Sequence, residues 1–135
     1  MNLAEFVERY LSLLENTLNC AEKARREGLL ALEEDFDQEK IDGRDIFAYG
    51  LSFVVDGTDS VLIEKILSHI IVQEKDEDSR ILKTIQKEAV LAIQEGLSPR
   101  ILFHLLTSYT DIPLNDERMK KLKDLNIACS PDGDS

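Results

Sequence analysis

The chain has 135 residues, of which 43% are hydrophobic and 32% are charged. This composition is typical of one globular domain, and a domain of this size buries enough apolar surface to fold without disulfides or metals. With 27 acidic residues against 16 basic ones the net charge is −11, which argues against proteins that bind nucleic-acid phosphates or anionic lipid surfaces through a basic face.

The first segment is predicted to be a long amphipathic helix from Leu3 to Glu27. Its apolar residues recur at spacings of three and four, which is the period of one helix face. These residues are Leu3, Phe6, Val7, Tyr10, Leu14, Leu18 and Ala21. We expect the helix to continue past Gly28 to about Glu34, straight or bent. A glycine inside a helix costs about 0.5–1 kcal/mol relative to alanine, so Gly28 indicates a bend or a close backbone approach.

An acidic stretch, residues 35–45, follows and is predicted to be a loop with a turn at Asp42 and Gly43. A second helix then carries an apolar face made of Ile46, Phe47, Leu51, Val54 and Val55. Gly57 suits the position after the end of this helix, because glycine takes a positive φ without a Cβ clash. Thr58 or Asp59 is expected to cap the third helix. That helix is apolar through most of its length up to Ile71, and we predict that it is the central one.

A polar break separates the third helix from a fourth one, for which Ser79 or Asp78 is the expected N-cap. Gly96 is predicted to end the fourth helix. The clearest local signal comes next, since Ser98 has the side chain of an N-cap and Pro99 suits the first helical position.

Pro113 is expected to stop the fifth helix, and Asn115 to begin a last amphipathic helix that extends through Leu125. No segment shows the alternation of a half-buried strand. The predicted fold class is therefore all-α, a small helical domain of five to six helices with a long amphipathic N-terminal helix. The domain is assigned to residues 1–127, and residues 128–135 are expected to form a disordered tail.

The residues that carry chemistry match no known catalytic or metal-binding spacing. Cys20 and Cys129 are far apart, which indicates a reducing compartment and no disulfide framework. His69 and His104 lie in apolar segments and are expected to be interfacial or satisfied core residues. The acidic stretch fails the calcium-binding loop pattern, because glycine at the sixth position would place non-acidic residues at the first and twelfth. We therefore expect no catalytic residues, no cofactor and no metal.

Nothing in the sequence predicts insertion into a membrane. The N-terminal residues lack the basic and continuously apolar regions of a signal peptide. No run approaches the 18 or so apolar residues of a transmembrane helix. The composition and periodicity alone thus favour a helical interaction domain.

Three stretches resemble a known family. ARREGLLALE at Ala24–Glu33, followed by VVDGTD at Val54–Asp59, resembles the cytoplasmic region of the flagellar stator A subunit, MotA, of the MotA/TolQ/ExbB superfamily. A third stretch, AVLAIQEGLSPRIL at Ala89–Leu102, is similar to the segment after the fourth membrane helix of that family. The resemblance implies the family's cytoplasmic helical region, with the blocks in the same order.

The departures from the family are equally informative. Its members carry two membrane helices before the first block and two more between the second and third, whereas this chain has polar, shorter segments at both places. The channel-lining residues have no counterpart, so the chain cannot conduct ions. It resembles either a natural soluble paralogue or an engineered joining of cytoplasmic pieces.

The resemblance implies a non-conducting adaptor or regulator in the flagellar motor, located in the cytoplasm or at the cytoplasmic face of the basal body. Its partner would be a rotor, switch or stator component, and homo-oligomers are possible. In the family an arginine and a glutamate at matching positions contact the rotor, which implies a partner-binding role for Arg25 and Glu33. Alternatively, both are solvated charges on a helix surface. The alternative function is a helical interaction domain or oligomeric scaffold unrelated to motility.

Overall fold

The computed structural model describes residues 1–35 and 45–111 of the chain. Over these residues it contains only helices, which confirms the all-α prediction and the long N-terminal helix. The elements are α1 (Leu3–Glu27), a 3₁₀ helix (Leu29–Asp35), α2 (Ile46–Val55), α3 (Ser60–Ile71), α4 (Glu77–Glu95) and α5 (Pro99–Thr107). The predictions for the loop at residues 36–44, for the last helix, for Cys129 and for the tail lie outside the described residues.

α1 begins and packs as its sequence predicts. The side chain of Asn2 caps it by accepting a 2.8 Å hydrogen bond from the backbone N–H of Glu5. The buried face of the helix comprises Tyr10, Leu11, Leu13, Leu14, Thr17, Leu18 and Ala21. Leu3 is exposed because the first turn extends beyond the core. The apolar stripe is therefore confirmed from Tyr10 onward.

The expected continuation of α1 to Glu34 is wrong. The helix ends at Glu27, and Gly28 takes φ 91° and ψ 160°, a conformation that is accessible essentially only to glycine. The following residues form the separate 3₁₀ helix, which inserts Leu32 fully into the core. An added Cβ at Gly28 would meet nothing within 4 Å. Gly28 is thus required by the backbone turn and not by a close approach.

The α2–α3 corner follows the predicted capping chemistry. Gly57 has φ 79°, and its N–H donates to the carbonyl of Val54 while the N–H of Thr58 donates to that of Phe53, both at 3.0 Å. This pair of bonds is the Schellman arrangement, which satisfies the last carbonyls of α2. Asp59 then caps α3 by accepting a bond from the N–H of Val61.

α4, and not α3, is the central helix. It packs against α1, α2, α3 and α5, whereas α3 buries only Ile63, Leu67 and Ile71. Val61 is 68% exposed and Leu62 is 50% exposed on the outer side of α3. The prediction failed because α3 is apolar on more faces than its neighbours cover.

The boundaries of α4 and α5 differ from the predictions at two places. α5 ends at Thr107, six residues before Pro113, so Pro113 is not what stops it. The hydroxyl groups of Thr107 and Ser108 donate to the carbonyls of Phe103 and Leu105 in the last turn instead.

Asp76, and neither Asp78 nor Ser79, is the N-cap of α4, and the bond that it accepts from the N–H of Ser79 lowers the pKa of its carboxyl group. Gly96 ends α4 with φ 83°, as predicted. Ser98 and Pro99 begin α5 in the predicted roles.

Candidate protein-binding site

The two predicted contact residues lie on different elements. Arg25 is exposed in the last turn of α1, and Glu33 is exposed in the 3₁₀ helix. The break at Gly28 means that they do not share one continuous helix. Both residues nevertheless lie on the same short stretch of chain that turns at the end of α1.

The turn that carries these residues is held at both ends. The N–H of Gly28 donates to the carbonyl of Ala24 at 2.8 Å, and the N–H of Ala31 donates to the carbonyl of Gly28 at 3.2 Å. Nζ of Lys23 lies 3.2 Å from Oε1 of Glu34 and 3.1 Å from Oδ1 of Asp35. These two ion pairs connect the end of the 3₁₀ helix to α1. With Leu32 buried between these contacts, Glu33 is presented by a fixed piece of backbone.

The charges around Gly28 are sorted by position. Arg25 and Arg26 occupy the last turn of α1, where the partial negative charge of the helix end favours cations. Three acidic residues, Glu33–Asp35, follow on the 3₁₀ helix. Because both sets are exposed, the end of α1 offers a partner a basic group and an acidic group side by side along the chain.

Cys20 lies close to this turn, and its thiol is held in the protonated form. Burial and the nearby carboxylate of Asp35 raise the pKa of its thiol to about 11, although the ammonium of Lys23 opposes this shift. A thiol with such a pKa remains protonated near neutral pH, and it is the thiolate that attacks electrophiles or binds metals. Cys20 is therefore a packing residue of the turn.

The histidines are not where the sequence suggested. Both His69 and His104 are exposed, on α3 and α5 respectively, because each lies on the side of its helix that faces away from α4. In residues 1–35 and 45–111, no cluster of three or more histidine, cysteine, aspartate or glutamate side chains is arranged to hold a metal ion. Among the same residues, no helix has the length and apolar character needed to cross a bilayer.

Sequence reasoning missed one exposed apolar residue at this end of the molecule. Leu30 is 72% exposed although its neighbours Leu29 and Leu32 are partly or fully buried. Helical periodicity could not identify it, because the 3₁₀ helix has a different period from α1. Its exposure adds an apolar group to the two charges of the site.

Comparison of the chain with models of protein families, with curated proteins and with solved structures gives no match. The geometry of the site and the resemblance of the three sequence blocks are therefore what bears on its function.

Proposed function

We propose that this chain is a non-catalytic, MotA-like adaptor that binds a component of the flagellar motor through the turn at the end of α1. The proposal rests on three sequence blocks that occur in the family's order without the membrane helices between them. Its structural support is a single observation, namely that Arg25 and Glu33 are both exposed on a turn whose backbone is held at both ends.

Polar residues suit such a contact. Charges across an interface speed the encounter and fix its orientation more than they add affinity. A contact in a rotating motor must form and break repeatedly, so a charged surface with modest affinity is appropriate. The proposed location is the cytoplasmic face of the basal body, where a partner with complementary charges would be available.

Charge reversal tests the proposal directly. The full chain is immobilised, and purified rotor switch protein and stator subunits from a flagellated source are passed over it. We expect Arg25→Glu and Glu33→Arg each to weaken binding by about tenfold or more at low salt, mainly through slower association. Stability should stay within about 0.5 kcal/mol of the unmodified chain, because both residues are exposed.

The matched control reverses charges at the other end of α1. Glu5 and Arg9 form an exposed ion pair at 3.2 Å, so the double variant Glu5→Arg with Arg9→Glu inverts two charges and keeps the pair. Its binding should equal that of the unmodified chain. Binding that is unchanged by both reversals at Arg25 and Glu33 would remove these residues from the contact, and no binding to any motor component would refute the function.

A second candidate is a self-associating helical scaffold unrelated to motility. The exposure of Val61 and Leu62, at 68% and 50%, on the outer side of α3 favours it, since neighbouring exposed apolar side chains are a common feature of association surfaces. Light scattering of the purified chain distinguishes the two candidates. A stable oligomer that binds no motor component would favour the scaffold.

A further inference from the structure

An apolar notch lies beside Arg25, between the ends of α1 and α4. It has a volume of about 150 Å³, and we call it the α1–α4 notch. Its walls come from Ala21, Ala24, Leu29, Ile93, Gly96 and Leu97, with Arg25 and Gln94 completing the lining. Small residues on both helices leave this space, because alanine and glycine have no side chain that could fill it.

The size of the notch suits one side chain. An apolar cavity of about this volume in another protein accepts benzene, which is similar in size to a branched aliphatic side chain or a phenyl ring. A single apolar group inserted here would contact Ala24, Ile93 and Leu97 and would be removed from water. Burial of one such apolar side chain is a common way for an interface to gain affinity.

The polar residues of the lining define the chemistry beside that anchor. Arg25 brings a guanidinium to the notch, and a guanidinium pairs best with a carboxylate. Gln94 donates from its Nε2 to the carbonyl of Thr58 at 2.8 Å, while its Oε1 is buried and accepts no hydrogen bond from any described residue. Arg25 is the charged residue of the lining, so the notch favours a ligand that carries a carboxylate beside its apolar group.

We propose that the α1–α4 notch is the anchor point of the partner, and that it takes a branched aliphatic side chain next to an aspartate or glutamate on a peptide segment. This inference rests on the proposed function, because it assumes that the partner binds at Arg25 and adds a second point of contact beside that residue. The anchor contributes affinity and the charges set the orientation.

A displayed library of short random peptides provides a probe that does not depend on knowing the partner. The library is sorted against the full chain, and the peptides recovered are synthesised and measured by fluorescence anisotropy. We expect them to share a branched aliphatic residue beside an acidic one. Backbone amide resonances of Gly96 and Leu97 should shift on titration with the peptide, while those of the outer side of α3 should not.

Filling the notch provides the decisive variant. Ala24→Leu adds a side chain to the notch wall and keeps the helix propensity of α1. Peptide affinity should fall by about tenfold or more, which is the usual effect of excluding an interface anchor. Ala4→Leu is the matched control, because it makes the same change at an exposed position of the same helix, and it should bind peptides as the unmodified chain does. The amide shifts of the unmodified chain provide the test should Ala24→Leu fail to fold.

Three results would overturn the inference. They are recovery of no peptide, equal binding to the Ala24→Leu variant, and a dimer of the chain that dissociates on the same substitution and so identifies a second copy as the occupant. The outcome is separable from that of the proposed function. If the Ala24→Leu variant still binds the motor component, the notch is not the anchor point, but the adaptor function stands. If peptides bind at the notch and no motor component binds the chain, the notch is a binding site, but the adaptor function is refuted.

Discussion

At the scale of single residues, Cys20 shows how the turn at the end of α1 changes an ordinary side chain. The thiol is partly buried, and the 3₁₀ helix brings the carboxylate of Asp35 close enough to oppose its ionisation. Asp35 itself is held by the ammonium of Lys23, whose pKa the same contact raises. The pKa of the Cys20 thiol therefore depends in part on whether the turn is in place.

We predict slow alkylation of Cys20. With a pKa of about 11, its thiolate fraction at about pH 8 is about 100-fold below that of an ordinary thiol. Iodoacetamide should react correspondingly slowly in a Cys129→Ser background, and the rate should rise with pH up to about 11. Asp35→Asn removes the opposing carboxylate, so the pKa should fall and the reaction should become faster.

Glu34→Gln is the control for this prediction. Glu34 pairs with the same lysine but does not contribute to the shift at Cys20, so the alkylation rate should change little. An alkylation rate in the folded chain equal to that in urea would contradict the raised pKa.

At the scale of secondary structure elements, most helix caps could be predicted from the sequence, but the packing of one helix against another could not. Ser98, Pro99, Gly57 and Gly96 were assigned correctly because a cap depends on a few adjacent residues. Asp76 was missed because several acidic and hydroxyl side chains compete at the start of α4. The central position of α4 was missed because periodicity identifies apolar residues without showing which helix covers them.

The same limit applies to the candidate site. The sequence predicted that Arg25 and Glu33 would be exposed charges near one glycine, and their exposure is confirmed. The predicted segment Leu3–Glu27 matches α1, but the sequence did not predict that a 3₁₀ helix would replace the expected continuation to Glu34. The α1–α4 notch was invisible to the sequence, because it requires residues more than 60 positions apart to be neighbours.

Gly28 sets the boundary between α1 and the 3₁₀ helix, and we predict that it cannot be replaced. At φ 91° and ψ 160° any side chain is strained, so Gly28→Ala and Gly28→Asn should each lower the free energy of unfolding by about 1–3 kcal/mol. Urea denaturation followed by circular dichroism measures the change.

Gly96 provides the matched comparison for Gly28. Its φ of 83° and ψ of 28° lie in the left-handed helical region, which asparagine tolerates. Gly96→Asn should therefore cost much less than Gly28→Asn. Equal costs at the two positions would show that the unusual conformation of Gly28 is not what requires glycine.

At the scale of the whole molecule, the core depends on how closely α2 approaches α4. Gly50 lies inside α2, where alanine would be the better helix former by about 1 kcal/mol. A Cβ built on Gly50 would lie 2.9 Å from both Cγ1 and Cγ2 of Val90 and 3.1 Å from Cδ1 of Leu67. The glycine thus permits the contact between α2 and the central helix, with α3 packed beside it.

We predict that Gly50→Ala destabilises the molecule despite its better helix propensity. Overpacking of a core costs about 1–3 kcal/mol, and Val90 cannot easily relieve it because a β-branched side chain has one preferred rotamer in a helix. In a Val90→Ala background both Cγ atoms are gone and only the 3.1 Å approach to Cδ1 of Leu67 remains, so the same Gly50→Ala change should cost markedly less. Urea denaturation of the unmodified chain and the three variants gives a double-mutant cycle, in which we expect a coupling of about 1 kcal/mol or more. Additive effects would mean that α2 can move away from α4 without loss, and that the close approach at Gly50 does not determine how the helices pack.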